Sequence, residues 1–469
     1  MNLAMVLEMA ADGLGDRRAI GNLTYADVRA LARGVAGRLR STAPPVTTLA
    51  SLLPNGDHLS VALFGACWAG VSYAPLNFRL PEVVRAQLLA RVEPAARFDE
   101  SWLDEPDGGE PFVEDPERPA VLLFTSGTAA APKAAVLHHD NLGAYLFNTL
   151  EFASAGEEEA ALLAVPPFHI AGVAAVLSST YVGRRIVPMA QFDADDWLRL
   201  SAAESVTHAF LVPTMLARIV AVLEADPSRR PPALRSLAYG GARMPRPVIE
   251  RALDLMPEVD FVNAYGLTET SSTVAVLGPE DHREALASDD PAVRRRLESC
   301  GRPVPSVEFR IAGGEVWIRG NQVGGGYVGT ESQVDAAGWL HTGDRGFLDD
   351  EGYLFVEGRG DDVITRGGEN ISPAEIEDTL LRHPAVVAAA AVGLPDVEWG
   401  EKVVVMVVPR AGEGLDPTAL QEWVRQELGS IKTPDAVVVA DELPQTPTGK
   451  VLRREVRERL GDISGRSRT

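Results

Sequence analysis

Lysine is rare in this sequence, which makes each lysine a candidate for a position that arginine cannot fill. Four of the 44 Lys and Arg residues are lysines: Lys133, Lys402, Lys432 and Lys450. A compact ammonium differs from a planar guanidinium in reach and in hydrogen-bond geometry. Lys133 and Lys450 each end a loop rich in small and hydroxyl residues, at 125–133 and 443–450. These two are the first candidates for binding or chemistry, whereas chance is enough to explain a lysine at position 402.

The loop before Lys133 has the composition of a phosphate-binding loop. Its residues follow an apolar run, and a backbone of this kind can approach phosphate oxygens; the first four are Thr125, Ser126, Gly127 and Thr128. It is not a Walker loop, because that motif needs glycine before the lysine and serine or threonine after it. Pro132 and Ala134 hold those places here. The loop predicts phosphate binding of another kind, with an ordinary surface loop as the alternative.

A glutamate between two hydroxyl residues predicts a cation site. Glu269 is flanked by Thr268 and Thr270, and Mg²⁺ prefers oxygen ligands while it keeps several waters. Tyr265, four residues earlier, could offer a stacking face to a base. The alternative is a strand end followed by a helix cap.

An aspartate and an arginine farther along the chain predict a ribose site. The carboxylate of Asp344 could accept hydrogen bonds from both ribose hydroxyls, and Arg359 follows it by fifteen residues. Residues 349–352 lie between two apolar runs and predict a hairpin that returns Arg359 to Asp344. An aspartate in a turn is the alternative, because turns favour this residue.

The elements that must position these residues change in kind along the chain. Helical and extended patterns alternate up to about residue 275, which predicts a mainly parallel sheet with helices on its faces. One helix should begin at Thr24 and end before residues 43–45. After Gly301, short extended runs with turn signals predict a small β-barrel-like part. We predict an α/β and α+β protein with a large N-terminal domain at residues 1–360.

A smaller α+β unit is predicted at residues 361–469. Ser372 and Glu375 form a capping box with Pro373 at the first helical position, so a helix should run from there through Leu381. Its length of about 110 residues is common for a domain. This unit would carry Lys450.

The composition excludes several classes of partner. The net charge of −22 repels nucleic acid and anionic membranes. The longest apolar run, residues 384–395, is shorter than the ~20 residues of a membrane span. The two cysteines, Cys67 and Cys300, lie far apart, and no basic leader precedes an apolar run at the start. We expect a cytoplasmic protein without a transmembrane segment, and a homodimer is left open.

In this order, the four motifs resemble those of the adenylate-forming superfamily, which includes acyl-CoA synthetases, peptide-synthetase adenylation domains and firefly luciferase. Residues 166–169, 239–242 and 358–377 add to the resemblance, which extends from Leu23 to Leu460 and is strongest to acyl-CoA synthetases. In this family a carboxylate attacks the α-phosphate of ATP, giving an acyl-adenylate and pyrophosphate. A thiol then attacks the acyl carbon and releases AMP. Such catalysis depends on positioning and charge neutralisation.

The resemblance implies roles for individual residues. ATP would be bound by Thr125, Ser126, Gly127, Thr128, Lys133, Gly240, Gly241, Ala242, Tyr265, Gly266, Asp344 and Arg359. The catalytic residues would be Thr268 at the α-phosphate, Glu269 as the Mg²⁺ ligand, Lys450 between the carboxylate and the α-phosphate, and His169 as a gate. The acyl pocket would be lined by His169, Val212, Met215, Gly240, Ala264 and Thr270. The mobile C-terminal domain would rotate at Asp361 and bring Gly367 and Gly368 to the CoA tunnel.

We therefore predict an ATP-dependent, AMP-forming acid–thiol ligase, namely an acyl-CoA synthetase that uses ATP, Mg²⁺ and CoA. The small apolar pocket residues favour a fatty acid over a dicarboxylate, which would need a buried cation. An aryl-acid CoA ligase is the alternative. Residues 366–373 resemble the CoA-ligase version of this segment, and the chain contains neither a carrier-protein domain nor the insertion of acyl-AMP ligases. Delivery to a carrier protein remains a second alternative.

The phosphate loop departs from the family pattern. The family usually has Thr-Gly after the position of Thr128 and often glycine after the lysine, whereas this chain has Ala129, Ala130 and Ala134. Alanine resists the positive φ that glycine accepts. We expect slower adenylation, with a non-catalytic relative as the alternative. The other motif residues are retained together, which favours an active enzyme.

Overall fold

The computed structural model describes residues 1–105, 107–113, 118–125, 133–330, 332–396, 398–410, 412–446 and 450–466, with the backbone alone at 361, 370 and 462–466. In these ranges the helices are α1 (Ala4–Leu14), α2 (Tyr25–Ser41), α3 (His58–Ala69), α4 (Glu82–Ala90), α5 (His139–Thr149), α6 (Ile170–Val182), α7 (Ala194–Ala203), α8 (Pro213–Ala225), α9 (Arg246–Leu255), α10 (Pro279–Ala287), α11 (Pro291–Arg295), α12 (Pro373–Leu381), α13 (Pro417–Leu428) and α14 (Arg453–Arg466). The strands are β1 (Arg18–Ile20), β2 (Leu23–Thr24), β3 (Thr48–Ser51), β4 (Ser72–Pro75), β5 (Ala95–Phe98), β6 (Pro119–Thr125), β7 (Lys133–His138), β8 (Ala160–Leu163), β9 (Arg185–Pro188), β10 (His208–Leu211), β11 (Ser236–Gly240), β12 (Asp260–Leu267), β13 (Ser272–Leu277), β14 (Arg302–Pro303), β15 (Val307–Ala312), β16 (Glu315–Gly320), β17 (Gly326–Tyr327), β18 (Leu340–Leu348), β19 (Leu354–Arg359), β20 (Ile364–Arg366), β21 (Glu369–Ile371), β22 (Val386–Asp396), β23 (Gly400–Pro409) and β24 (Ala436–Val439).

Over the described residues the strands form four sheets, which confirms the predicted mixed α/β and α+β class. One has nine strands in the order β14-β13-β12-β11-β10-β8-β9-β1-β2, and a second has six in the order β17-β7-β6-β4-β3-β5. Strands β8 to β12 of the first sheet are parallel to their neighbours within that group. The part expected to be barrel-like is a four-stranded antiparallel sheet, β15-β16-β18-β19. The C-terminal sheet contains β20 to β24.

Two helix starts test the capping predictions. Thr24 Oγ1 accepts a hydrogen bond from Asp27 N at 3.1 Å while the Asp27 carboxylate accepts from Thr24 N at 2.9 Å, which confirms the helix predicted from Thr24. The capping box predicted at Ser372 is wrong. The Ser372 hydroxyl instead donates to the carbonyl of Glu357 at 3.2 Å, although the helix begins and ends where the sequence predicted.

Apolar side chains collect in separate cores along the chain. The largest cluster draws its buried residues from Leu3 to Leu297, whereas two clusters on opposite faces of the C-terminal sheet draw theirs from Ile364 to Leu460. In β22, Ala389 and Ala391 belong to one of these and the alternate residues to the other, as the two-residue period of a strand requires. The boundary at residue 360 or 361 remains a prediction. No helix in the described ranges has both the length and the apolar character needed to cross a bilayer.

Candidate active site

Three predicted adenine or acyl residues, His169, Val212 and Gly240, lie at one edge of the nine-stranded sheet. Strands β8, β10, β11 and β12 are adjacent and parallel, so their carboxyl ends share an edge. His169 lies beyond β8, Val212 directly follows β10, and Gly240 ends β11. Ligands of open α/β sheets bind beyond the carboxyl ends of their strands. The topology therefore brings together segments that are far apart in the sequence.

Close backbone approach explains the glycine at the end of β11. Gly240 pairs with Ala264 across β11 and β12, and a Cβ on Gly240 would lie 2.2 Å from the Ala264 carbonyl oxygen. Gly241 follows with a φ of +80°. The exposed Ala242 comes next, and Tyr265 follows Ala264 on β12. The residues predicted to enclose adenine are neighbours, and their role remains a prediction.

Asp344 is the buried acceptor of the site. It pairs with Arg359 across β18 and β19, with 3.0 Å between Asp344 Oδ1 and Arg359 Nε. The Tyr265 hydroxyl donates to Asp344 Oδ2 at 2.6 Å. Burial raises the pKa of Asp344, while Arg359 and the Tyr265 hydrogen bond oppose that rise. The hairpin does return Arg359 to Asp344, and it adds the predicted base-binding tyrosine to the pair.

The small unit places Lys450 beside this pair. Lys450 lies within electrostatic range of Asp344, Arg359 and Asp362 and keeps an exposed surface. Desolvation by the surrounding protein lowers the pKa of Lys450, and so does Arg359, whereas Asp344 and Asp362 oppose that decrease. Of the predicted loop before it, residues 447–449 lie outside the described residues. A cation from the C-terminal unit thus faces a carboxylate from the N-terminal one.

Arg453 was not predicted from the sequence, although its contacts hold the segment that follows Lys450. Arg453, three residues after Lys450, donates to Glu377 Oε2 at 2.9 Å and to the Ala391 carbonyl at 2.8 Å. Its Nε lies 3.8 Å from Asp362 Oδ2. These contacts fix the base of the Lys450 loop to α12, to β22 and to the short turn Gly360–Asp362. No composition signal distinguishes Arg453, because arginine is common throughout the chain.

The turn that carries Glu269 is compatible with a magnesium ligand. Residues Thr268–Thr270 form a short 3-10 helix, which the buried Thr270 hydroxyl closes by accepting from Leu267 N at 2.9 Å. The described residues contain no cluster of three or more His, Cys, Asp or Glu side chains able to hold a metal. One carboxylate completed by water and substrate phosphates is the arrangement that Mg²⁺ commonly takes. The donor set therefore fits Mg²⁺ bound together with a nucleotide.

The ends of the predicted phosphate loop lie on adjacent strands. Thr125 ends β6 and pairs with Lys133, which begins β7. The Lys133 ammonium lies 5.5 Å from the centroid of the Tyr327 ring, and the Tyr327 hydroxyl donates to Glu269 Oε1. Tyr327 is not among the residues predicted from the sequence, although a tyrosine directly after three glycines was a usable signal. The remaining loop predictions, Ser126, Gly127, Thr128, Ala129 and Ala130, lie outside the described residues.

The predicted gate at the acyl pocket is a neutral imidazole. Burial lowers the pKa of His169 to about 4, and Arg79 acts in the same direction. The ring packs on Phe168 with 4.8 Å between centroids, and Phe168 meets Phe78 edge-on at 5.7 Å. His169 Nε2 is buried without a hydrogen-bond partner among the described residues. The site therefore combines an aromatic wall with one polar atom.

The other residues predicted for the acyl pocket, the hinge and the CoA tunnel lie at the start of α8 and in two turns of the chain. Val212 and Met215 stand at the start of α8, and a Cβ on Gly241 would lie 3.6 Å from Val212. Gly367 and Gly368 have φ values of +60° and +84° in the turn between β20 and β21. Asp361 lies in the short turn Gly360–Asp362, where its backbone alone is described. Their roles remain predictions.

An ion pair joins the loop that follows β11, which carries the predicted adenine residues Gly241 and Ala242, to the small unit. Arg243, after Gly241 and Ala242, lies 2.6 Å from Asp378 on α12, and 3.8 Å from Glu298. The Asp378 side chain is only 10% exposed. Burial raises the pKa of Asp378 to about 6, although Arg243 opposes the rise. The cost of desolvating this carboxylate thus exceeds the attraction to its partner.

This ion pair predicts that docking of the small unit depends on pH. Asp378 in the docked state binds its proton more tightly than an exposed aspartate does. The docked state should therefore become more favourable as the pH falls through about 6, and this stabilisation should be lost above it. Energy transfer between dyes on the two units, measured from pH 5 to pH 8, should report this change. Asp378→Asn should flatten the profile, while Asp196→Asn, which alters an exposed ion pair with Arg199, should not. An unchanged profile in Asp378→Asn would contradict the prediction.

Comparisons with known proteins agree with this geometry. Residues 7–328 match the AMP-binding enzyme family and residues 375–450 match the AMP-binding enzyme C-terminal domain. A feruloyl-CoA synthase from Amycolatopsis sp is 34% identical, covering 94% of this chain and 94% of that protein. A fatty acid–[acyl-carrier-protein] ligase from Streptomyces coeruleorubidus is 30% identical, covering 95% and 93%. The solved o-succinylbenzoate CoA synthetase from Bacillus subtilis, in complex with ATP and magnesium ion, superposes with a TM-score of 0.80 at 27% identity, covering 96% and 98%. The chain belongs to the AMP-binding enzyme family, which confirms the predicted resemblance to adenylate-forming, ATP-dependent acid–thiol ligases.

Proposed function

We propose that this protein is an acyl-CoA synthetase that activates a carboxylic acid with ATP and Mg²⁺ and transfers the acyl group to CoA. The observation that carries the proposal is the meeting of Lys450 with the Asp344–Arg359 pair. It brings charged groups from both units together where an anionic nucleotide would need cations. In a chain of net charge −22, such a local group of cations favours an anionic substrate.

The proposed chemistry needs no protein nucleophile. Asp344 accepts from the ribose hydroxyls, and Lys133 neutralises the β- and γ-phosphates. Lys450 draws the substrate carboxylate and the α-phosphate together, so that a carboxylate oxygen forms the new P–O bond and pyrophosphate leaves. Mg²⁺ held by Glu269 would neutralise phosphate charge. The CoA thiolate then attacks the acyl carbon, and AMP leaves with the electron pair.

We propose an aryl acid as the substrate class, with a fatty acid as the second candidate. The aromatic wall of Phe78, Phe168 and His169 favours an aromatic ring, because offset and edge-on contacts stabilise such pairs. The unpartnered Nε2 of His169 favours a substrate with a polar group near the ring, since an unsatisfied buried nitrogen is costly. The relatedness to a feruloyl-CoA synthase agrees with this choice. The fatty acid–carrier-protein ligase supports the second candidate and a carrier-protein acceptor.

Product formation tests the proposal directly. Pyrophosphate and AMP should be measured with ATP, Mg²⁺ and aryl, aliphatic or dicarboxylic acids, each with and without CoA. AMP should form only when an aryl acid and CoA are both present. Pyrophosphate release that ignores CoA would instead indicate an adenylate-only or carrier-protein enzyme. Absence of turnover across the panel would favour a non-catalytic relative with the altered Ala129–Ala130 loop. The cytoplasmic setting remains a prediction, and a homodimer is still left open.

A further inference from the structure

A short strap, defined as residues 322–328, connects the Glu269 turn to the strand that carries Lys133. At one end, Gln322 is fully buried and donates to the carbonyls of Thr270 and Thr273 at 3.2 and 2.7 Å. The backbone N–H groups of residues 324 and 325 donate to the Glu269 carbonyl at 2.9 and 3.2 Å. At the other end, β17 pairs with β7. The strap therefore links the two large sheets at the site.

Tyr327 is the side chain of this strap that touches both charged groups. Its Cα pairs with Ala135, two residues after Lys133, so the phenol ring and the lysine lie diagonally on neighbouring strands. The ammonium lies 5.5 Å from the ring centroid, within the range of a cation–π contact. The hydroxyl donates to Glu269 Oε1. Among the described residues, no donor reaches the other oxygen, Oε2.

The position of Tyr327 separates the Glu269 carboxylate from the Lys133 ammonium, so each charge is available to a ligand. Glu269 and Lys133 form no ion pair with each other in the described part of the chain, and the neutral phenol contacts both. A direct pair would neutralise the carboxylate that a cation needs and the ammonium that phosphates need. The hydrogen bond at Oε1 leaves Oε2 available to a cation. This separation is useful only to a ligand that brings both phosphates and a divalent cation.

We propose that Tyr327 is a positioning residue for Mg²⁺–ATP, with its hydroxyl orienting Glu269 and its ring orienting Lys133. The proposal rests on the proposed function, because it assigns Glu269 and Lys133 to the same nucleotide. It does not involve adenine or ribose, whose predicted partners lie on β11, β12, β18 and β19. Tyr327 should therefore affect ligands that carry β- and γ-phosphates and should not affect AMP.

Two substitutions separate the roles of the hydroxyl and the ring. Tyr327→Phe should raise the Mg²⁺ concentration for half-maximal binding of a non-hydrolysable ATP analogue about tenfold, the scale of one hydrogen bond to a charged group. It should leave AMP affinity unchanged. Tyr327→Leu should in addition weaken binding of the analogue in EDTA by about threefold, because the cation–π contact is lost. Isothermal titration calorimetry measures all three quantities without turnover.

Tyr353→Phe is the matched control. Its hydroxyl also donates to a carboxylate, Asp281 Oδ1 at 2.6 Å, but away from the site. This variant should bind Mg²⁺, the analogue and AMP like the unaltered protein. The proposal fails if Tyr327→Phe matches Tyr353→Phe in the Mg²⁺ titration, or if Tyr327→Phe loses AMP affinity to the same extent. If the unaltered protein binds neither AMP nor the analogue, the proposed function fails and this inference fails with it.

Discussion

Replacing Lys450 with alanine should slow adenylate formation by about 10²- to 10³-fold, the usual effect of removing one preorganised donor to a developing charge. Lys450 is the cation that the small unit contributes beside Asp344 and Arg359. Without it, the carboxylate and the α-phosphate would meet with their repulsion unbalanced. Conversion of a synthetic acyl-adenylate and CoA to thioester should remain nearly unchanged, because that step does not form the P–O bond. Pyrophosphate exchange and single-turnover thioester formation measure the two halves separately.

Two further lysine variants make this result specific. Lys402→Ala removes a lysine from β23, outside the site, and should leave both half-reactions unchanged. Lys450→Arg keeps the charge but changes reach and geometry, so it should recover only part of the adenylation rate. An equal loss in both half-reactions for Lys450→Ala would show that the residue supports the fold and not the proposed step.

Asp344→Asn should raise the KM for ATP by about 10- to 100-fold, as expected for loss of a hydrogen bond worth about 1.5–3 kcal/mol to a charged group. The amide keeps the shape of the carboxylate but cannot accept from two ribose hydroxyls and also balance Arg359. Initial rates of pyrophosphate release at varied ATP concentration give this constant.

The substrate itself provides the sharpest control for Asp344. For the unaltered protein, replacing ATP with 2′,3′-dideoxy-ATP should cost most of the affinity that the Asp344→Asn substitution costs. For the Asp344→Asn variant, the same change of nucleotide should cost little more. Asp335→Asn changes an aspartate that only caps a turn, through Ala337 N and Trp339 N, and should leave the KM unchanged. Independent, additive losses from Asp344→Asn and the dideoxy sugar would place the ribose elsewhere.

The sequence predicts the contacts that follow from local hydrogen-bond ladders. The meeting of Asp344 and Arg359 is of this kind, because the turn signal at 349–352 sets the register of one antiparallel hairpin. The Thr24 cap is also local. At Ser372 the local signal fails, since the carbonyl of Glu357 competes for the serine hydroxyl. A side chain with two available partners cannot be assigned from neighbours in sequence alone.

The contacts that sequence reasoning missed join elements distant in the chain. Tyr327 reaches Glu269 because β17 is inserted beside β7, and nothing in either segment encodes that pairing. Arg243 reaches Asp378 only when α12 lies against the loop that follows β11. Arginine is so frequent here that composition does not single out Arg243 or Arg453. The motifs identify the residues that are predicted to bind ATP, whereas the residues that position them depend on tertiary packing.

The strand order of the nine-stranded sheet has a consequence for how the chain folds during synthesis. After β8 and β9 have paired, β10 adds beside β8, and β11, β12, β13 and β14 each add beside the strand made just before. Each strand from β10 to β14 therefore meets an edge that is already formed, whereas β9 has to pair with two strands made before it, β8 and β1. The hairpin of β1 and β2 is made first but must wait for β9, its neighbour in the sheet. We expect β1 and β2 to be the part of this sheet most exposed to wrong pairing while synthesis proceeds, because they form an unprotected edge until β9 is available.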